Sequence, residues 1–366
     1  MKKILYNIPK SLNSIQKEEF IECVNFLTKK IVNIEYDDYS LILHLNDIPE
    51  HEIKELKESL ANLLMEIKSK KIIKEKELKS NIEDIKPPSL YKEKDRFNNL
   101  FLTEEEIGLL DLLDKKLIDI AKKYNSTMRQ YPGLLSEEVM NKSSYNHNFP
   151  QNIGMIFDIP HDYYNIEAYR ESKDSNYAEY SGVYMQPCIC YHCYDEWRNN
   201  IANKVITAKG ACYRHEVPWK KNKFRKNEFQ MREIVFIGTK NEVLTLREQF
   251  IQEVWSLFNT LGLKGKVVTA NDPFFFNDNF KKGMYQKLTN SKYELLYKSK
   301  EHSYISIASF NFCDDVVCKS YGLMNLNHEY YYSGCVAFGL DRWLVSIMEL
   351  DDYGLYKAKQ HLQGES

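Results

Sequence analysis

The chain has 366 residues, and its 50 Lys+Arg against 52 Asp+Glu give a formal net charge of −2. Its length predicts two domains, and its 43% of hydrophobic residues can form a large core, so the composition excludes disorder for most of the chain. The near-neutral charge disfavours wrapping of nucleic acid. No apolar run reaches the roughly 18 residues of a membrane span and no signal peptide is indicated, so no membrane partner and a cytoplasmic location are expected.

Residues 1–86 predict a small α/β domain without any arginine. Apolar residues at helical or alternating spacing predict a helix, two strands and a second helix. These elements cover residues 20–31, 32–36, 41–45 and 53–67. The lysine run at 68–79 is interpreted as a solvated face in preference to an RNA-binding patch. Residues 87–98, beginning with Pro87-Pro88, predict a linker to a larger domain over 99–366.

The larger domain opens with a capping box at Thr103-Glu104-Glu105-Glu106, which predicts a helix start. Its buried stripe is predicted at Leu110, Leu113, Leu117 and Ile120. A second helix is predicted over 241–261, ending at Gly262. The order of helices and strands predicts an α+β domain with a mostly antiparallel sheet.

Eight cysteines in a chain without an export signal indicate thiols or metal ligands more than disulfides. Cys188, Cys190 and Cys193 lie within six residues, and strand alternation would place Cys188 and Cys190 on one face. The alternative for Cys190 and Cys193 is a structural zinc half-site or a redox pair. Cys313 and Cys318 could complete such a site if the fold brings them close.

A charged hairpin is predicted over 211–238. Alternation places Cys212, Arg214 and Glu216 on one face of its first strand, and Phe229 and Glu233 on one face of the second. Charged side chains on these faces are not an ordinary core pattern. If the hairpin is buried, those charges need partners. The alternative is a surface hairpin with ordinary ion pairs.

A strand of small residues at 333–339 runs directly into an apolar helix, with Arg342 at the junction. Small residues let a ligand approach the backbone, and the planar arginine side chain suits phosphate oxygens. A glycine segment between a strand and a helix is weak evidence alone, but here it and the charged hairpin reinforce each other.

The hairpin and the glycine strand together resemble motifs 2 and 3 of class II aminoacyl-tRNA synthetases. The resemblance implies an antiparallel sheet flanked by helices, with 99–366 as the catalytic domain, and assigns five residues to ATP. Arg214 would hold the α-phosphate, Glu216 the adenine amino group and Arg342 the γ-phosphate, with Arg214 and Arg342 catalytic. Phe229 would stack on adenine with Arg225 near the phosphates. Tyr131-Pro132-Gly133 falls where motif 1, the dimer motif, would lie, and implies a homodimer.

Four further pieces resemble the amino acid:carrier protein ligases, relatives of the atypical zinc-containing seryl-tRNA synthetases. They are Cys190-Tyr191-His192-Cys193-Tyr194, Met231-Arg232-Glu233, Ala270-Asn271-Asp272-Pro273-Phe274-Phe275 and Gly334-Cys335-Val336-Ala337-Phe338-Gly339. The resemblance implies zinc held by Cys190, Glu233 and Cys335, with Cys188 or Cys193 as alternatives to Cys190. Zinc with three protein ligands has a position open for the α-amine of the substrate. Glu233, as one of these ligands, is therefore also assigned to the substrate site.

Further substrate contacts are implied for Glu294, Ser309 and Asn311, although Glu294 could equally be an ion-paired strand residue. Magnesium is expected with ATP. Its ligands stay open, because an apolar residue near Ile305 stands where seryl enzymes have a glutamate.

The resemblance implies ATP-dependent activation of a small amino acid and its transfer to the phosphopantetheine thiol of an acyl or peptidyl carrier protein. A seryl-type enzyme acting on tRNA is disfavoured by the arginine-free first domain and the near-neutral charge. A non-catalytic relative is disfavoured because the ATP and zinc residues occur together. The amino acid, the carrier and the role of residues 1–86 are not specified by the sequence.

Overall fold

The structure, a computed structural model, describes residues 2–46, 48–69, 75–82, 102–272, 286, 288–300 and 304–364. Two compact units are present: Met1–Lys74 with Glu216–Lys221, and Glu75–His215 with Asn222–Ser366. The predicted linker at 87–98 lies outside the described residues. Across the described ranges, no helix combines the length and apolar character that crossing a bilayer requires.

The first unit is a three-stranded antiparallel sheet with two helices. Its elements are β1 (Lys2–Asn7), α1 (Ser14–Val24), β2 (Ile31–Tyr36), β3 (Ser40–Leu45) and α2 (Glu50–Ser69). The strand order is β1-β3-β2. The four predicted elements are present, but α1 ends at Val24, earlier than predicted, because Ile31 already belongs to β2. β1 was not predicted, since only Ile4 of its residues is buried and the alternation is weak.

The second unit carries the larger sheet and a smaller one. The strands of this unit are β4 (Glu77–Ser80), β5 (Thr127–Arg129), β6 (Leu134–Ser136), β7 (Met155–Asp158), β8 (Glu179–Met185), β9 (Val205–Tyr213), β10 (Glu228–Gly238), β11 (Gly265–Thr269), β12 (Lys292–Lys298), β13 (Tyr304–Phe312) and β14 (Tyr332–Gly339). Its helices are α3 (Glu104–Lys122), α4 (Glu137–Ser143), α5 (Tyr145–Asn148), α6 (Tyr163–Ser172), α7 (Cys190–Asn199), α8 (Lys240–Thr260), α9 (Val316–Tyr321), α10 (Leu340–Met348) and α11 (Asp352–Gln363).

The larger sheet has the order β4-β11-β12-β13-β14-β10-β9-β5. Its paired strands are antiparallel except β5 and β9. β6, β8 and β7 form a separate small sheet. The predicted α+β fold with a mostly antiparallel sheet is therefore confirmed. β4 was assigned by the sequence to the first domain, but it pairs with β11 at the edge of the larger sheet.

The predicted helix boundaries of the second unit follow from local chemistry. The Thr103 hydroxyl accepts the Glu106 backbone N–H and the Glu106 carboxylate accepts the Thr103 N–H, which completes the predicted capping box of α3. α8 ends before Gly262, whose φ of +75° suits glycine. α3, α8 and α10 cover one face of the sheet with apolar side chains. The other face carries the polar residues described below, and α7 and α9 pack on part of it.

A buried ion pair joins α3 to the covered face of the sheet. The Arg232 guanidinium donates to both carboxylate oxygens of Asp114, with Nη2 at 2.9 Å, and Nη1 donates to the Thr207 hydroxyl at 3.1 Å. Burial would raise the pKa of Asp114, but the hydrogen bonds and charge of Arg232 outweigh it and lower that pKa. The ion pair therefore stabilises the fold above the usual carboxyl pKa, and this contribution is lost as the pH falls through the lowered value.

We expect Asp114→Ala to lower the free energy of unfolding by about 3–5 kcal/mol, because it leaves Arg232 buried without its carboxylate. Urea denaturation followed by circular dichroism measures the change. Asp111→Ala, one turn earlier on α3 and 69% exposed, is the matched control and should change stability by less than about 0.5 kcal/mol. Equal effects of the two substitutions would contradict a stabilising role for the buried pair.

Candidate active site

The charged hairpin consists of β9, β10 and the loop between them. Phe229 pairs with Cys212, and the Arg214 N–H donates to the Asn227 carbonyl at 2.8 Å just beyond the strand end. The Arg214 guanidinium donates twice to the Pro187 carbonyl at 3.1 Å, and it lies 5.2 Å from the centre of the Phe229 ring. The two residues predicted to contact the α-phosphate and adenine are therefore neighbours.

Glu216 does not continue the predicted strand. β9 ends at Tyr213, because the chain turns away after Arg214, so alternation no longer applies at Glu216. Residues 216–221 belong to the first compact unit, whereas Arg214 and Arg225 belong to the second. The prediction that Glu216 shares a strand face with Cys212 and Arg214 is thus wrong.

Arg342 lies in the first turn of α10, directly after the small-residue strand β14. Its Nε donates to the Phe224 carbonyl at 2.9 Å and its Nη1 to the Ser306 carbonyl at 2.7 Å. Phe224 precedes Arg225, so the residue predicted for the γ-phosphate holds the turn that carries another predicted phosphate contact. The next-door Asp341 accepts from Lys226 Nζ at 3.2 Å and from the backbone N–H of Gln230.

Polar residues in register cross the face of the sheet opposite to the one that α3, α8 and α10 cover. Glu233 pairs with Ala337, Ala337 with Ser309, and Ser309 with Glu294. Cys335 pairs with Asn311 in the adjacent row. Paired residues point to the same side of an antiparallel sheet, so the predicted zinc and substrate residues on β10, β12, β13 and β14 share one face.

Small residues flank the centre of this face. Met231 lies between Gly210 and Gly339, and Glu233 lies between Ala208 and Ala337. The absence of long side chains at these positions lets a ligand approach the backbone of the sheet.

A cluster of thiols and one carboxylate lies on the same face. The Sγ atoms of Cys188 and Cys190 and a carboxylate oxygen of Glu233 all lie within 4.8 Å of one another. The two sulfur atoms are 3.5 Å apart, and the Cys190 N–H donates to Glu233 Oε2 at 2.8 Å. Cys335 Sγ, on the neighbouring strand, accepts from Asn311 Nδ2 at 3.3 Å.

The electrostatics of the cluster suit a soft divalent cation. Burial, together with the charge of Cys335, raises the pKa of Glu233 to about 8. Hydrogen bonds from Cys190 and Cys313 hold the pKa of Cys335 well below its usual value, which favours a thiolate. A buried carboxylate beside several sulfur atoms would be stabilised by a cation, and thiolate with carboxylate is a donor set that zinc accepts. The residues present therefore fit zinc.

The cysteines do not lie on a strand as predicted. Cys190 begins α7, and the chain turning into that helix brings Cys188 beside it, so a helix start and not alternation places the two together. Cys193 is fully buried one turn along α7 and does not belong to the group of Cys188, Cys190 and Glu233. Cys313 and Cys318, which could have completed a four-cysteine site, do not belong to the group that Cys188 and Cys190 form with Glu233 in the described part of the chain.

The Lys292 ammonium lies between the carboxylates of Glu294 and Asp272. Lys292 Nζ is 2.6 Å from Asp272 Oδ1 and 3.1 Å from Glu294 Oε1. Burial lowers the pKa of Lys292, but the charges of Asp272 and Glu294 outweigh it and raise that pKa. The sequence presents Asp272 only as part of a motif. Nothing in that motif predicts that its carboxylate pairs with Lys292. Residues 273–275 of that motif lie outside the described residues.

The two remaining substrate residues lie beside each other on β13. Asn311 Nδ2 donates to the Ser309 hydroxyl at 3.1 Å as well as to Cys335. The predicted substrate contacts therefore lie between the ion-paired Glu294 and the thiol cluster.

Comparison with known proteins gives concordant matches. Residues 165–351 match the tRNA synthetase class II core domain (G, H, P, S and T). An amino acid--[acyl-carrier-protein] ligase of Bradyrhizobium diazoefficiens is 28% identical over 245 residues, which cover 63% of this chain and 73% of that protein. A type-2 serine--tRNA ligase of Methanopyrus kandleri is 26% identical over 181 residues, 46% of this chain and 34% of that protein.

The fold is also found among solved structures. A crystal structure of M. kandleri SerRS in complex with A. aeolicus tRNASec matches with a TM-score of 0.62 at 18% identity, over 98% of this chain and 77% of that chain. The family match spans more than half of the chain and includes both predicted ATP motifs. The chain therefore belongs to the class II tRNA synthetase core-domain family.

Proposed function

We propose that this protein uses ATP to activate a small amino acid as an aminoacyl-adenylate, and then transfers it to the phosphopantetheine thiol of a carrier protein. The observation that carries the proposal is the cluster of Cys188, Cys190 and Glu233, which lies on the same sheet face as the predicted substrate residues. Cys335 lies on that face on the neighbouring strand β14. The name of the B. diazoefficiens relative, a ligase for acyl-carrier protein, supports the choice of acceptor.

The first half-reaction needs no general base, since the substrate carboxylate is ionised at neutral pH. Arg214 would bridge this carboxylate and the α-phosphate, and the adenine of ATP would stack on Phe229. The carboxylate oxygen attacks the α-phosphorus in line and pyrophosphate leaves. Arg342 would neutralise the departing phosphates together with ATP-bound magnesium, while Arg225 and Glu216 would bind the phosphates and adenine. Orientation and charge neutralisation thus supply the catalysis.

Cys190, Glu233 and Cys335 would hold zinc, with Cys188 as the alternative to Cys190. When bound, zinc would offer an open position to the neutral α-amine of the amino acid. Glu294, Ser309 and Asn311 would line the substrate site beside it. Recognition through the amine would reject hydroxy acids of the same shape.

The homodimer implied by the resemblance to motif 1 stays a prediction. Pro132 follows Tyr131, whose ring stacks on His192 at a centroid distance of 5.1 Å. Tyr131 also donates to the Glu196 carboxylate. This segment is therefore ordered by its own contacts on α7.

We expect amino-acid-dependent exchange of labelled pyrophosphate into ATP, tested across all twenty amino acids with zinc measured in the same preparation. Exchange with one or two small amino acids would support adenylation and identify the substrate. The matching hydroxy acid is the control and should give no exchange. Absence of exchange with every amino acid, in protein that holds zinc, would contradict activation of a proteinogenic amino acid and favour a non-catalytic role.

The acceptor is tested separately with the activated amino acid. The M. kandleri relative is named a serine--tRNA ligase, so unfractionated tRNA is the alternative acceptor. A holo-carrier protein should gain the mass of the aminoacyl group, and the apo-carrier, which lacks the thiol, should not. Charging of tRNA without labelling of the holo-carrier would replace the proposed acceptor.

A further inference from the structure

The loop between β9 and β10 is anchored in the first compact unit. Its turn at Pro218–Lys220 contacts β2, and the Trp219 ring packs against the hydrophobic core of that unit. The Trp219 indole N–H donates to Asn25 Oδ1 at 2.9 Å. The Lys220 ammonium lies 2.5 Å from a carboxylate oxygen of Glu22. A segment of six residues therefore has an apolar contact, a hydrogen bond and an ion pair within one unit.

Asn25 is a prepared acceptor for this loop. It is 7% exposed and follows the last residue of α1. Its Nδ2 donates to the carbonyls of Ile21 at 2.8 Å and Glu22 at 3.0 Å, which satisfies two groups at the helix end. These two bonds fix the amide so that Oδ1 points to Trp219. The contact is thus built from a buried side chain of defined orientation.

The rest of the loop is held within the second unit. Asn222 and Arg225 exchange backbone hydrogen bonds of 3.1 and 3.0 Å, and Arg342 donates to the Phe224 carbonyl. Lys223 forms a buried ion pair with Glu349 at 2.9 Å. Trp219 therefore lies in sequence between Glu216 and Arg225, the two loop residues assigned to ATP.

We propose that Trp219 and Asn25 are positioning residues that order the ATP-binding loop before ATP arrives. The inference rests on the proposed function and gives residues 1–74 a role in it. A loop that is already ordered loses less conformational freedom when its ligand binds, so anchoring strengthens ATP binding without any contact between Trp219 and the nucleotide. The amino acid site on β10, β12, β13 and β14 contains neither residue.

The test uses the full-length protein with Trp219→Ala and Trp219→Phe. For Trp219→Ala we expect the KM for ATP to rise about tenfold, the effect of having to order a few side chains on binding. The kcat, the KM for the amino acid and the zinc content should stay within about twofold of the wild-type values. Trp219→Phe keeps an aromatic ring on the core but loses the indole donor and part of the apolar contact. Its KM for ATP should therefore lie between the values of the wild-type protein and Trp219→Ala.

Trypsin gives a measurement that needs no activity. Lys221 is exposed in the loop, so cleavage after it should be faster in Trp219→Ala and close to the wild-type rate in Trp219→Phe. Lys17→Ala is the control, because it breaks an exposed ion pair with Asp38 in the same unit and leaves the loop contacts intact. It should change neither the KM for ATP nor the cleavage.

A charge exchange tests the anchor a second way. Glu22→Lys places two positive charges together and should speed cleavage of the loop. Adding Lys220→Glu restores an ion pair of reversed charge and should restore slow cleavage. Unchanged cleavage and unchanged KM for ATP in Trp219→Ala would overturn the proposal. If wild-type protein exchanges no pyrophosphate although Trp219→Ala speeds cleavage, the proposed function fails and the anchoring stands.

Discussion

Cys335→Ser is expected to lose zinc and amino acid activation together. Serine removes the sulfur atom that would bind zinc and that accepts a hydrogen bond from Asn311. The lowered pKa of Cys335 favours that sulfur as a thiolate. Because changes to groups that merely support a metal ligand already cost about 10–100-fold in metal affinity, loss of a ligand should exceed about 100-fold. Atomic absorption after dialysis measures the zinc, and pyrophosphate exchange measures activation.

Cys318→Ala is the matched control, since Cys318 is also buried but lies on α9, whereas Cys335 lies on β14, the strand that pairs with the strand of Glu233. It should keep both zinc and exchange. Cys188→Ser and Cys190→Ser then separate the two candidate ligands, and we expect zinc loss only for Cys190→Ser. Full activation by zinc-free Cys335→Ser would remove zinc from the proposed mechanism.

Arg214→Ala is expected to lower kcat for pyrophosphate exchange by about 10²–10³-fold, the usual effect of removing one group that stabilises transition-state charge. The zinc content should not change, because Arg214 contacts the Pro187 carbonyl and the Phe229 ring and not the metal cluster. Steady-state exchange at saturating ATP and amino acid measures this loss.

Arg214→Lys should recover little of the activity, since lysine keeps the charge but lacks the planar pair of donors. Arg170→Ala removes an exposed arginine on α6 and controls for the loss of a positive charge. An Arg214→Ala enzyme with wild-type kcat would show that the α-phosphate is held by another group.

Local chemistry made much of this fold predictable. The capping box at Thr103 and the glycine after α8 specify helix ends through hydrogen bonds that involve only neighbouring residues. The hairpin and the glycine strand were recognisable because their residue types and spacing resemble the motifs of the class II family, whose core-domain match includes both segments. Their pairing with the β12 and β13 residues required the sheet order, which no local pattern contains.

The parts that were not predictable depend on contacts distant in sequence. Cys188 and Cys190 approach each other at the start of α7, where the residues alone read equally well as a strand. Asp272 meets Lys292 across 20 residues of sequence. Trp219 reaches Asn25 across 194 residues, and nothing in the spacing of the loop indicates that partner.

The position of β4 determines where the chain can be divided. β4 covers the outer edge of β11, and an uncovered edge strand is a template for pairing with other molecules. A truncation that starts at residue 99 would remove this cover together with the first unit. Aggregation of such a fragment would then not demonstrate a folding requirement for the first unit, because the sheet edge becomes exposed at the same time. A fragment that begins at residue 75 keeps β4 and separates the two effects.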